Sequence, residues 1–145
     1  MSDILTNLLD NFASAPACWF SSVRPDGRVH LAPIWHVWHE DAAYVVTQQS
    51  TVRARNLRHN ASVSLALPDP MNALVIEGWA AEMPSAASVL RPHFQAKYNW
   101  DIANDAGYNC IICITPTKLL AWGDHGEGRW RFDQDARQWS RLDGK

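Results

Sequence analysis

The chain has 145 residues, 13 basic against 15 acidic side chains and a net charge of −2. At 47% apolar and 19% charged it is not intrinsically disordered, and its length suits one domain, residues 1–145, with a core that needs no disulfide or metal staple. The slight negative charge excludes a polyanion-binding surface over the whole protein, so no nucleic-acid partner is expected.

Eight tryptophans are about four times the share expected for this length. Indole is amphipathic and favours pockets, interfaces and flat ligands. No run reaches the roughly 18 apolar residues of a membrane span. Residues 1–20 carry Asp3 and Asp10 without a basic leader, so no signal peptide is expected. The three cysteines then read as reduced thiols in a cytoplasmic protein.

In chain order, Ser2 or Asp3 caps a short helix whose Ile4, Leu5, Leu8, Leu9 and Phe12 share one face, and Ala15-Pro16 ends it. Residues 18–23 read as a strand, closed by the turn Arg24-Pro25-Asp26-Gly27. A second strand covers 28–38, where Pro33 demands an edge or a bulge. His39-Glu40-Asp41 turns the chain into a strand over 43–47. Thr51 caps a helix over 51–60, anchored by Leu57.

A strand over 62–67 stops at Pro68-Asp69-Pro70, and another follows over 73–83. Pro84 opens a helix reaching Tyr98, which Pro92 kinks or splits. Three further strands are expected over 108–114, 119–122 and 129–132, with a glycine-rich turn over 123–128 before the last. This pattern is mainly β, six or more short antiparallel strands forming a barrel with flanking helices.

The segment 47–58 stands out chemically. Residues 42–68 hold no acidic side chain but three arginines, Arg53, Arg55 and Arg58. Arg53 and Arg55 fall in the first helical turn, where a cation opposes the macrodipole by about 0.3–1 kcal/mol. An anion docked there would reverse that cost, receiving backbone N–H groups, the Ser50 and Thr51 hydroxyls and arginine. A solvated basic face and an RNA-contacting helix are the alternatives; a phosphate-bearing small ligand is the reading adopted.

Three stretches resemble the pyridoxamine 5'-phosphate oxidase-like flavin proteins. They are Gly27-Arg28-Val29-His30-Leu31-Ala32-Pro33-Ile34-Trp35, Tyr44-Val45-Val46-Thr47 and Arg53-Ala54-Arg55-Asn56-Leu57, joined by Val75-Ile76-Glu77-Gly78-Trp79. Lys97-Tyr98-Asn99-Trp100-Asp101, Thr115-Pro116-Thr117 with Ala121-Trp122-Gly123, and Gly128-Arg129-Trp130-Arg131-Phe132 are similar to a subgroup associated with the deazaflavin F420. The resemblance implies an FMN-binding split β-barrel, a homodimer with cofactor sites at the subunit interface, and a flavin-dependent oxidoreductase. FMN, or F420 in its place, would exchange a hydride or electron pair with a small organic substrate. A non-catalytic flavin- or haem-binding sensor or carrier on the same fold is the other reading.

By that resemblance Pro33, Ile34, Trp35, His36, Val46 and Thr47 contact the flavin, and Thr51 and Arg53 hold its phosphate; Ser50 joins the site from the reading of the helix start above. The usual Ser-Arg-Lys triplet reads Thr51-Val52-Arg53, with Arg55 or Arg58 as the compensating cation. Trp122, Arg129 or Trp130 would complete the partner's site. Trp35, Trp79, Trp122 and Trp130 are candidate walls. Trp139-Ser140-Arg141-Leu142 matches the terminal pattern of the true oxidases, but the chain stops before their vitamer-gripping segment, so that activity is the weaker reading.

Other signals are set aside. Cys110-Ile111-Ile112-Cys113 lies on a strand, where residues three apart diverge, and His36-Val37-Trp38-His39-Glu40 has neither the order nor the helix of a zincin site. No metal site is expected. Nucleophile-elbow, P-loop and dinucleotide motifs do not occur in the sequence.

Overall fold

Alternating apolar positions drive the sheet of this protein, and a computed structural model describes it over residues 3–142. Helix α1 (Asp3–Ser14) begins at the first described residue, so Ser2, the other candidate cap, lies outside them. Its Leu5, Leu8, Leu9 and Phe12 recur at helical spacing and are buried together. Strands β1 (Cys18–Val23) and β2 (Val29–Ile34) form a hairpin about the expected turn. Gly27 takes φ +89° there, a conformation that suits glycine.

Next come β3 (Val37–His39), β4 (Ala42–Thr47), α2 (Val52–His59), β5 (Ser62–Ala66) and β6 (Asn72–Glu82). A 3-10 turn at Pro84–Ala86 leads into α3 (Ala87–Tyr98). Strands β7 (Cys110–Gly123), β8 (Gly128–Asp133) and β9 (Gln138–Arg141) complete the chain. The strands pair antiparallel in the order β2-β1-β5-β6-β7-β4-β3, with β8 on β7 and β9 on β8. Strand β7 pairs with β6 along one side; on the other, β4 takes residues 110–114 and β8 takes residues 118–121. The sheet curls into an antiparallel split barrel with three α-helices, a mainly β fold.

The core has two parts. Helix α1 packs into the larger, with Phe20, Val45, Leu65, Ile76 and Ile112 from the sheet. The smaller joins α3 to the sheet through Leu90, Phe94, Val37, Val46 and Ile111. Cys110 and Ile112 face the larger cluster, Ile111 the smaller, so the two thiols of the C-x-x-C diverge. Burial pushes the Cys110 thiol up to about 11 and the Cys18 thiol up to about 12.

Four sequence expectations change. The strand expected over 28–38 breaks at Trp35-His36, and its halves sit at opposite ends of the strand order. Pro92 does not split α3, because Leu90 and Phe94 on either side of it are both fully buried. The strands expected over 108–114 and 119–122 are one strand, β7. Strand β9 was not expected; Trp139 seats it against Phe132 with ring centroids 4.9 Å apart.

The continuity of β7 through Thr115-Pro116-Thr117 has a local cause. Pro116 donates no ladder bond, and the pairing shifts register opposite Glu77 and Gly78, leaving Thr117 as the extra residue of a bulge in β7. Thr117 Oγ1 donates to the Glu77 carbonyl at 3.0 Å, replacing the lost pairing. A Cβ on Gly78 would stand 2.3 Å from the Thr115 carbonyl oxygen. Gly78→Ala is therefore expected to lower stability by roughly 1–3 kcal/mol in urea denaturation, since the clash is with backbone that cannot swing aside.

Candidate functional site

The break between β2 and β3 organises the site. Where the chain leaves one ladder for another, Trp35 and His36 have no strand partner, and their polar groups need other satisfaction. Helix α3 supplies it. The His36 N–H donates to the Tyr98 hydroxyl at 2.9 Å, and Lys97 Nζ donates to the His36 carbonyl at 2.7 Å. The Tyr98 proton lies between the carbonyls of Pro16 (2.9 Å) and His36 (3.0 Å). Burial lowers the Lys97 ammonium to about 8.

Pinned in this way, the crossing turns its two side chains apart. Trp35 is half-exposed and stacks on Tyr98, with centroids 4.5 Å apart and planes 1° from parallel. The His36 ring is fully buried against Phe12, centroids 4.4 Å apart, and its Nε2 meets the Phe12 carbonyl at 2.7 Å. That bond makes Nε2 the protonated nitrogen, and Nδ1 is buried without a partner. Desolvation lowers the imidazole to about 4, so it is neutral near pH 7.

Beside the crossing, α2 starts as its sequence predicts. Thr51 Oγ1 accepts from the Ala54 N–H at 3.2 Å and donates to the Gln48 carbonyl at 3.0 Å. Thr47 reaches the same hydroxyl at 3.4 Å. Arg53 leaves the first turn towards β2, donating to the Pro33 carbonyl at 3.2 Å with its guanidinium 5.6 Å from the Phe20 ring. Burial lowers its pKa, as expected for a cation partly withdrawn from water.

Between these elements opens a cavity of about 660 Å³. Pro33, Ile34, Trp35, Val46 and Thr47 form its floor, and Gln48, Thr51 and Arg53 its cationic end. The opposite wall is one stretch of chain, with Tyr98, Asn99, Trp100, Asp105 and Tyr108. Trp100 stands nearly perpendicular to Trp35 (76°) and to Tyr108 (89°), and its Nε1 donates to Asp105 at 3.0 Å. Arg91 grips Asp101 through two bonds of 2.9 and 2.8 Å, which fixes this loop.

Seven of the residues singled out in the sequence line this cavity: Pro33, Ile34, Trp35, Val46, Thr47, Thr51 and Arg53. Ser50 is exposed in the turn before α2 and is not part of the lining. His36 contributes no ring to it, because the imidazole is turned inward against Phe12, whose carbonyl its Nε2 meets. Arg55 lies on another face, in a shallow groove with Arg24, Arg28 and His59. Arg58 bonds Glu82 at 2.9 Å. Neither replaces the missing triplet cation within this cavity.

Trp122, Arg129 and Trp130 are also outside the lining within one chain. Trp122 Nε1 donates to the Pro70 carbonyl at 3.0 Å, and Trp130 is buried beneath the Arg141 guanidinium, 4.9 Å away. Gln48, Asn99, Asp105 and Tyr108 were missed as lining residues, as was the placement of Tyr98 and Trp100 in the wall. The legible signal was three large aromatics, Tyr98, Trp100 and Tyr108, clustered between a helix and a strand.

A curled antiparallel sheet with a crossing chain, a capped helix start and an open cavity between them defines a split-barrel protein. The chain belongs to the pyridoxamine 5'-phosphate oxidase family, whose sequence model matches residues 5–123. No curated protein matches it in sequence. Among solved structures it is similar to a conserved hypothetical protein from Mycobacterium tuberculosis, at 22% identity and TM-score 0.68, covering 86% of each chain. An F420 reductase aligns at 20% identity and TM-score 0.62, over 76% of this chain and 94% of the other. A pyridoxamine 5'-phosphate oxidase-related, FMN-binding protein from Nostoc punctiforme aligns at 15% identity and TM-score 0.66, over 96% and 93%. At these identities the likeness is one of fold.

The neutral His36 makes stability depend on pH. Above its ordinary value of 6.5 both folded and unfolded chains carry a neutral imidazole; below it only the unfolded chain takes up the proton, until about pH 4. Stability is expected to fall by roughly 3 kcal/mol across that window on account of this group. Urea midpoints between pH 7 and pH 4.5 check it: His36→Asn should be less stable at pH 7 yet lose less on acidification.

Proposed function

We propose that the cavity holds FMN, or F420 in its place, and that the protein is a flavin-dependent oxidoreductase acting on a small organic substrate. The observation that carries this reading is the polarity of the cavity. Arg53, the Thr51 hydroxyl and the start of α2 come together in the lining, and most of the rest is apolar or aromatic, with Thr47, Gln48, Asn99 and Asp105 as the other polar groups. Such a donor set suits a phosphate joined to a flat ring, and about 660 Å³ lies within the range of cofactor pockets.

Thr51 and Arg53 would take the phosphate, and Pro33, Ile34, Trp35, Val46 and Thr47 would hold the ring. When bound, the cofactor supplies a ring that accepts or donates a hydride or electron pair. The chain's own part is to anchor the charge, orient the ring against fixed backbone and keep water from one face. None of this requires a catalytic acid in the lining.

We further propose that two copies pair to complete the site. Trp19, Leu31, Trp79, Leu120 and Trp122 are between 37% and 60% exposed, an unusual load of apolar surface on one sheet. Strand β2 is an edge strand with no fully buried residue, and a second copy would cover it. Of the partner groups the resemblance implies, exposed Trp122 and Arg129 are the ones proposed to reach the cofactor, since Trp130 is buried in its own core.

Arg53→Ala should weaken FMN binding by about 1.5–3 kcal/mol, through loss of a charge-assisted bond. Riboflavin, which lacks the phosphate, should bind wild type and variant alike in the same fluorescence titration. Equal loss for both ligands would instead mean that Arg53 acts only by holding Pro33. The absorption spectrum and mass of any co-purifying chromophore identify the cofactor. Turnover with NAD(P)H or reduced F420 separates an oxidoreductase from a carrier, which would show the spectrum and no turnover.

A further inference from the structure

The wall formed by residues 98–108 is not accounted for by anchoring a phosphate or a ring. Three of its features belong together. Trp100 stands near right angles to both Trp35 and Tyr108, at 76° and 89°, so three indole and phenol rings form a corner rather than a stack. Trp35 is 50% and Tyr108 39% exposed, so ring surface is left open to an incoming molecule. The third feature is Asp105, a carboxylate in the same lining.

Asp105 forms no ion pair among the described residues; its one neighbouring donor is the neutral Trp100 indole, at 3.0 Å. Its backbone carbonyl accepts from the Tyr108 N–H at 3.0 Å, which ties the carboxylate and the phenol into one turn. Partly exposed aromatic rings sharing a cavity with a carboxylate that has no ion pair make a receptor for positive charge, because the ring quadrupole and the anion attract the same partner. One face of Trp35 is taken by Tyr98, so the other surfaces of the corner carry this role. Anions and neutral polar groups gain nothing comparable there.

We propose that this end of the cavity is the substrate subsite and that it selects an organic cation: an alkylated ammonium or a protonated or quaternised nitrogen ring. The proposal deepens the cofactor reading and draws on it for one step. With a phosphate docked on Arg53, the only other charged side chain of the lining is Asp105, so the loaded cavity is net negative and complements a cation. The wall is also preorganised. Asp101 accepts two bonds from Arg91 and one from the Ala103 N–H at 3.1 Å, and Asn99 takes the left-handed conformation (φ 51°) that ends α3. A rigid receptor loses little entropy on binding.

The test is isothermal titration of the protein with benzyltrimethylammonium, benzyl alcohol and benzoate, which differ chiefly in charge, with FMN titrated into the same preparation. The cation should bind roughly tenfold more tightly than either of the others. Asp105→Asn, which keeps an acceptor for the Trp100 indole, and Tyr108→Leu, at a half-exposed position, should each remove most of that preference, with thermal melts confirming that both fold. Equal affinity for all three probes, a preference for benzoate, or an unchanged preference in Asp105→Asn would overturn the proposal. Protein that takes up FMN but ignores the cation defeats this inference alone. Protein that binds the cation and refuses FMN defeats the cofactor reading and leaves the aromatic receptor in place.

Discussion

Two side chains of α3 satisfy the backbone of a residue in another part of the fold, and the architecture follows from that. The chain must pass from β2 at one end of the strand order to β3 at the other, and His36 is where it has no ladder. Tyr98 and Lys97 occupy its N–H and its carbonyl. An unpaired buried peptide group costs about 1–3 kcal/mol, so the crossing would be unstable without them. Trp35 and the cavity floor take their position from this anchorage, and Lys97 accepts a desolvated environment to provide it.

The charge at the start of α2 makes a second constraint. Arg53 stands where the helix dipole disfavours a cation, and it is partly withdrawn from water as well. The Pro33 carbonyl and the Phe20 ring offset part of that cost. This one side chain therefore joins α2 to β2 and presents positive charge to the cavity. The structural role and the proposed binding role overlap there, which is why a phosphate-free ligand is the informative comparison.

The sequence showed the hairpins and the α2 cap because their causes are local: period-two alternation, turn residues, and a threonine three residues before the amide it caps. It hid what depends on distant partners. Residues 28–38 read as one strand because nothing within them says that the two halves pair with different neighbours. Pro116 reads as a break because the bulge that accommodates it, with Thr117 as the extra residue, is defined only by pairing with Glu77 and Gly78 on a distant strand. His36 was expected at the cofactor ring, but its imidazole is drawn to the interior by Phe12 of α1, a partner distant in sequence. Seven cavity residues were identifiable from motif order, whereas the 98–108 wall has no periodicity to announce it.

That wall lies between the end of α3 and the start of β7 and pairs with no strand. Its shape comes from the Arg91–Asp101 clamp, which is outside the cavity lining, and from the Tyr98 anchor, whose ring is itself part of the wall. Replacing Trp100, Asp105 or Tyr108 would therefore alter what the pocket admits without disturbing barrel register. A short connecting loop of this kind can change its chemistry while the sheet that carries it keeps its pairing.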